Sequence, residues 1–92
     1  MKVVINTCYG SFQLSAEACH FLGIHEDGCG YQYISFQKRT DPKLVECVSK
    51  LGERANGMYS ELKVIEIPDD VEFYIDEFDG RETIHEKHRI WR

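Results

Sequence analysis

No stretch of the chain approaches the roughly 20 consecutive apolar residues that a membrane-spanning helix needs. The opening Met1-Lys2-Val3-Val4-Ile5-Asn6 carries one basic side chain and a short apolar run, too little for a secretory signal. Repeats, low-complexity runs and linkers are missing as well. Cys8, Cys19, Cys29 and Cys47 form no Cys-x-x-Cys, which excludes a dithiol redox motif and a zinc-ribbon knuckle. Without an export signal, a cytoplasmic protein with reduced thiols packed as small hydrophobes is expected. A basic excess is also lacking: 16 acidic side chains stand against 11 basic ones, a formal charge of −5.

What is present is ordinary for a soluble globular protein: 92 residues, 42% hydrophobic, 29% charged and 12% aromatic. Residues 1–92 therefore read as a single domain, because the chain is too short for two cores. A domain of this size has a stability margin of about 5–9 kcal/mol. Self-association is a common way to enlarge it, so a homo-oligomer, most simply a symmetric dimer, is expected.

The β-branched run Val3-Val4-Ile5 predicts a first strand over Lys2–Thr7, followed by a loop over Cys8–Phe12. Ser15 is a good N-cap for a helix from Ala16 to Leu22, with Leu14, Ala18, Phe21 and Leu22 as its apolar stripe and Gly23 as its stop. Gly28 and Gly30 mark a turn before a strand over Tyr31–Phe36. Asp41 followed by Pro42 is a strong helix start, and Leu44, Val45, Cys47, Val48 and Leu51 recur at helical spacing before Gly52. Leu62–Ile67 is apolar on both faces and reads as a central strand. Val71, Phe73 and Ile75 alternate with Glu72, Tyr74 and Asp76, Asp79-Gly80 signals a hairpin turn, and Arg81–Glu86 returns antiparallel. The expectation is an α+β fold: a small single-layer sheet with two short helices, in the order β-α-β-α-β-β-β. The strands at Val3–Ile5, Leu62–Ile67 and Val71–Ile75 would share that sheet.

None of the reactive side chains makes a catalytic set. His85-Glu86-Lys87-His88 places its histidines three apart rather than the four a zincin helix requires. Cys19, His20, His25 and Cys29 are potential metal ligands close in sequence, but adjacent Cys19 and His20 on a short helix do not easily share one ion. No metal and no other cofactor is expected. Gly10-Ser11-Phe12 lacks the second glycine of a nucleophile elbow, and nothing fixes a histidine beside Cys8. The chain is therefore expected not to be an enzyme.

Charge is unevenly distributed. From Glu66 to Glu82 eight acids face the single base Arg81, a net −7. The tail Lys87-His88-Arg89-Ile90-Trp91-Arg92 is basic and aromatic. Two binding modes follow. A small anionic, nucleotide-like ligand would place its phosphates on Arg39, Lys87, Arg89 and the backbone of Gly10 and Ser11. Its base would stack on Tyr9, Phe12 or Trp91 beside His88. Alternatively, Asp69, Asp70, Asp76 and Asp79 would dock a basic, nucleic-acid-binding host protein.

Three blocks of sequence resemble a group of small, mostly uncharacterised proteins of tailed phages and prophages. The first is Asn6-Thr7-Cys8-Tyr9-Gly10 with Phe12, Leu14-Ser15 and Glu17-Ala18. The second is Arg39 and Asp41-Pro42 with Leu44-Val45-Glu46, Val48 and Leu51-Gly52. The third is Glu66-Ile67-Pro68-Asp69-Asp70-Val71, Asp79-Gly80 and Glu86-Lys87-His88-Arg89 with Trp91. The chain departs from the group at Ser11, where members usually carry a second glycine, and at Thr83-Ile84, where they carry tryptophan-valine. The resemblance implies a phage origin and brings no settled activity. It makes a counter-defence factor in an infected bacterial cytoplasm the expected role. Sequestration of a nucleotide-derived ligand is the first expectation, and docking to a host complex the alternative.

Overall fold

The computed structural model describes residues 1–24 and 38–86. Within them lie two α-helices and two small antiparallel sheets, an α+β fold. Strand β1 (Lys2–Asn6) pairs with β2 (Leu62–Glu66), Val4 opposite Val64. Strand β3 (Phe73–Phe78) pairs with β4 (Arg81–Glu86), Ile75 opposite Ile84. The strand expected over Tyr31–Phe36 falls outside the described residues.

Both helices begin and end where local chemistry dictates. In α1 (Ala16–Leu22) the Ser15 hydroxyl accepts the Ala18 N–H at 3.0 Å, and Gly23 closes the helix at φ 72°. In α2 (Pro42–Leu51) the Asp41 carboxylate accepts the Lys43 N–H at 2.8 Å, and proline occupies the first turn. A short 3₁₀ turn, Gly52–Ala55, continues from α2. Phe21, expected on the apolar stripe of α1, is exposed, and Cys19 takes the inward position beside Ala18.

The expected single sheet is corrected to two, stacked with the helices in layers. Val4, Leu62 and Val64 face the helices and pack with Leu14, Ala18, Leu44, Cys47 and Val48. On the opposite face Val3, Ile5, Ile65 and Ile67 pack against Ile75, Ile84 and Phe73 of the hairpin. The two-sided apolar pattern of Leu62–Ile67 thus reflects a strand in the middle layer, paired among the described residues with β1. Alternation makes this possible, since successive side chains leave a strand on opposite faces.

The cysteines also differ from expectation. Cys8 and Cys47 are free thiols, but Cys19 is disulfide-bonded, so four reduced thiols is not the arrangement found.

Candidate functional site

Among the described residues β2 is the one strand paired with β1, and the backbone of β1 is also met by Arg39 and Glu82. The Val4 N–H donates to the Arg39 carbonyl at 2.9 Å, and Arg39 Nη1 returns to the Val4 carbonyl at 3.4 Å. Two residues on, the Asn6 N–H donates to Glu82 Oε1 at 2.8 Å. Arg39 and Glu82 are themselves a two-pronged ion pair, with Nη2 donating to Oε2 at 2.8 Å, and their side chains are 1% and 4% exposed. The Arg39 guanidinium lies 3.7 Å from the centre of the Phe12 ring. Charges so deeply buried persist only when paired and fully hydrogen-bonded. This pair joins the segment before α2 to strand β4 and seats the hairpin on the body.

Asn6 extends the same junction to the surface loops. Its amide Nδ2 donates to the carbonyls of Cys8 (2.9 Å) and Gly80 (2.7 Å), and its Oδ1 accepts the Glu61 N–H at 2.8 Å. The Cys8 thiol donates to the Tyr59 carbonyl at 3.1 Å, and the Ser11 N–H donates to the same oxygen at 3.2 Å. The loops meet so closely that glycine is required at both contact points. A Cβ on Gly10 would lie 1.6 Å from the Tyr59 oxygen, and one on Gly80 would lie 1.4 Å from the Gly10 oxygen. Tyr9, Met58 and Tyr59 are left exposed around this junction, and Arg81 lies 5.7 Å from the Tyr9 ring centre.

The hairpin presents a second surface. Asp79 and Gly80 both take positive φ, 50° and 89°, the tight two-residue turn that matches strand twist. Ile75, Ile84 and Glu82 point inward, so Tyr74, Asp76 and Phe78 point outward with their cross-strand partners His85, Thr83 and Arg81. Tyr74 and His85 stack with centroids 5.2 Å apart. Thr83 Oγ1 lies 2.9 Å from His85 Nε2, and Asp76 Oδ2 lies 4.0 Å from the same nitrogen. Asp76 Oδ1 accepts the Glu77 N–H at 3.0 Å, which orients the carboxylate. Phe78 is 71% exposed and Tyr74 46%. Asp69, Asp70, Glu72, Glu77 and Asp79, in the hairpin and the segment leading into it, are also exposed, as is Glu66 at the end of β2. Asp69 hydrogen-bonds the N-terminal ammonium, which holds its carboxyl below the usual carboxylate range.

Of the residues expected to bind an anion, the structure describes Tyr9, Gly10, Ser11, Phe12 and Arg39. Arg39 and Phe12 are buried in the interior, contacting each other, and Arg39 serves Glu82. Tyr9, Gly10 and Ser11 do form one loop, but tight backbone packing occupies Gly10. Lys87, His88, Arg89 and Trp91 lie outside the described residues. Of the metal candidates, Cys19 is disulfide-bonded and His20 is exposed, while His25 and Cys29 lie outside the described residues. Among the described residues no group of three or more His, Cys, Asp and Glu side chains could hold a metal ion. No described helix is long and apolar enough to cross a membrane. By contrast, Asp76 and Asp79 stand on the hairpin, with Asp69 and Asp70 in the turn leading to it, and all are exposed.

The sequence by itself gives no site role to Glu82, Tyr74 or Phe78. For Glu82 a signal existed: it shares strand parity with the inward Ile84. No family model, no curated protein and no solved structure matches the chain.

Proposed function

We propose that the protein is a non-enzymatic docking module that binds a basic partner through the acidic, aromatic outward face of its β3–β4 hairpin. The observation that carries this reading is the fate of the charges. Of the eight acids between Glu66 and Glu82, Glu82 alone is neutralised inside the fold. The other seven remain on the surface with Arg81 as the one base of that segment. A field of one sign steers an oppositely charged partner and fades with salt, since the screening length is about 8 Å at physiological ionic strength. The exposed rings of Tyr74 and Phe78 add contact area of the kind that anchors interfaces. A nucleic-acid-binding host protein has the required charge, and the resemblance to small phage proteins supports a host partner in a counter-defence role. The burial of Arg39 weighs against a small anionic ligand, which would lose its central cation to Glu82.

Fluorescence anisotropy with a labelled peptide of mixed lysine and arginine tests the reading. Binding at 50 mM salt should weaken at least tenfold at 300 mM, and reversing Asp69, Asp70, Asp76 and Asp79 to lysine should abolish it. Absence of binding at low salt, or binding unchanged by the reversal, overturns the proposal. A thermal-shift panel of linear and cyclic nucleotides is the contrasting measurement; stabilisation there would favour the sequestration reading.

A further inference from the structure

The outward hairpin face carries more information than its charge. Tyr74, Asp76 and Phe78 occupy alternate positions of one strand, so they form a row with a carboxylate between two exposed rings. At about 3.4 Å rise per residue each ring stands about 7 Å along the strand from the carboxylate. That spacing lets one flat cation rest against the Phe78 ring, or against the face of Tyr74 opposite the stacked His85, while reaching the carboxylate. The carboxylate is held in place by the Glu77 N–H at 3.0 Å, yet the Asp76 side chain is 67% exposed.

From this row, and resting on the docking reading above, we infer that the site selects arginine over lysine in its partner. A guanidinium offers a planar fork of donors that meets a carboxylate with two parallel hydrogen bonds, and its flat face stacks on an aromatic ring. An ammonium is a strongly hydrated point charge that gains little from either feature. The protein already uses guanidinium–ring contact twice: Arg39 lies 3.7 Å from the Phe12 ring centre and Arg81 5.7 Å from that of Tyr9. Arg81 also fixes where the partner's arginine sits. It is the cross-strand partner of Phe78 and turns toward Tyr9, so a second cation is repelled from the turn end of the row. The occupant therefore lies over Asp76, between Tyr74 and Phe78, as part of an extended cationic segment.

The test compares labelled deca-arginine and deca-lysine at pH 7.5 and 50 mM salt against the full chain. Deca-arginine should bind about tenfold more tightly. The substitutions Tyr74→Leu and Phe78→Ala, both at exposed positions, should together bring the ratio close to one by weakening deca-arginine far more than deca-lysine. Asp76→Asn should weaken deca-arginine more than deca-lysine. Arg81→Gln should tighten both peptides, because it removes a like charge. Equal affinity for the two peptides overturns the arginine site and leaves general docking standing. A preference that survives loss of both rings also overturns it. Failure of both peptides to bind overturns the docking reading itself.

Discussion

Arg39 and Glu82 illustrate how one buried pair can serve several backbone groups at once. Their carboxylate and guanidinium satisfy each other, the Asn6 N–H and the Val4 carbonyl. Glu82→Ala should destabilise the protein by about 3–5 kcal/mol, because Arg39 would stay buried without this counter-charge. Replacing Arg39 with Met and Glu82 with Leu together should cost clearly less than the sum of the single changes. Urea unfolding of the three variants measures this, and a wild-type midpoint for Glu82→Ala would refute the role assigned to the pair. Cys8 and Cys47, the free thiols among the described residues, also differ measurably. Cys8 is half-exposed and should react with a thiol reagent in the native state, whereas buried Cys47 should react only on unfolding. Burial pushes the Cys47 thiol up. Its folded pKa therefore exceeds its unfolded one, so its contribution is fully present below the ordinary thiol value of about 8.5 and is lost as pH rises through the folded value. Between pH 8 and 10.5 the wild type should lose stability relative to Cys47→Ala; parallel urea-midpoint curves for the two would contradict this.

At the scale of elements, α2 is the helix most clearly marked in sequence, and its apolar face is buried in structure. Leu44 and Val48 are 0% and 5% exposed and contact the layer made by Val4, Leu62 and Val64. Leu44→Asp or Val48→Asp should unfold the protein, since a carboxylate would be buried without a partner. Circular dichroism melting measures it, and a native melting temperature would refute the packing. The hairpin is a different kind of element. Two strands alone are marginal in water. Here Ile75 and Ile84 reach the apolar face of β1 and β2, and Glu82 reaches Arg39. Its turn was legible from Asp79-Gly80, and the alternation of Phe73 and Ile75 with Tyr74 and Asp76 marked which side faces the body. Its separation from the β1–β2 sheet was not legible, because one apolar face packs equally well beside a sheet or on top of it.

Across the whole molecule, exposed Tyr9, Met58 and Tyr59 surround the junction of the loops. This rim and the small core keep self-association a specific expectation. Light scattering at micromolar concentration should give twice the chain's mass and hold it across a tenfold dilution; a monomer mass throughout refutes the dimer. Local chemistry was sufficient for the elements themselves. Ser15, Asp41-Pro42, Gly23 and Asp79-Gly80 set the helix ends and the turn through hydrogen bonds and backbone freedom within a few residues. Charge along the chain was sufficient to mark Asp69–Asp79 as a surface of one sign. Arg39 reads from sequence as a ligand-binding cation, and the structure buries it against Glu82, 43 positions away, a pairing that no local rule gives. The same holds for Asn6, which bridges Cys8 and Gly80 across most of the chain. Burial and pairing at long range are properties of layers meeting, and only the tertiary structure decides which charges are withdrawn into the interior and which remain for a partner.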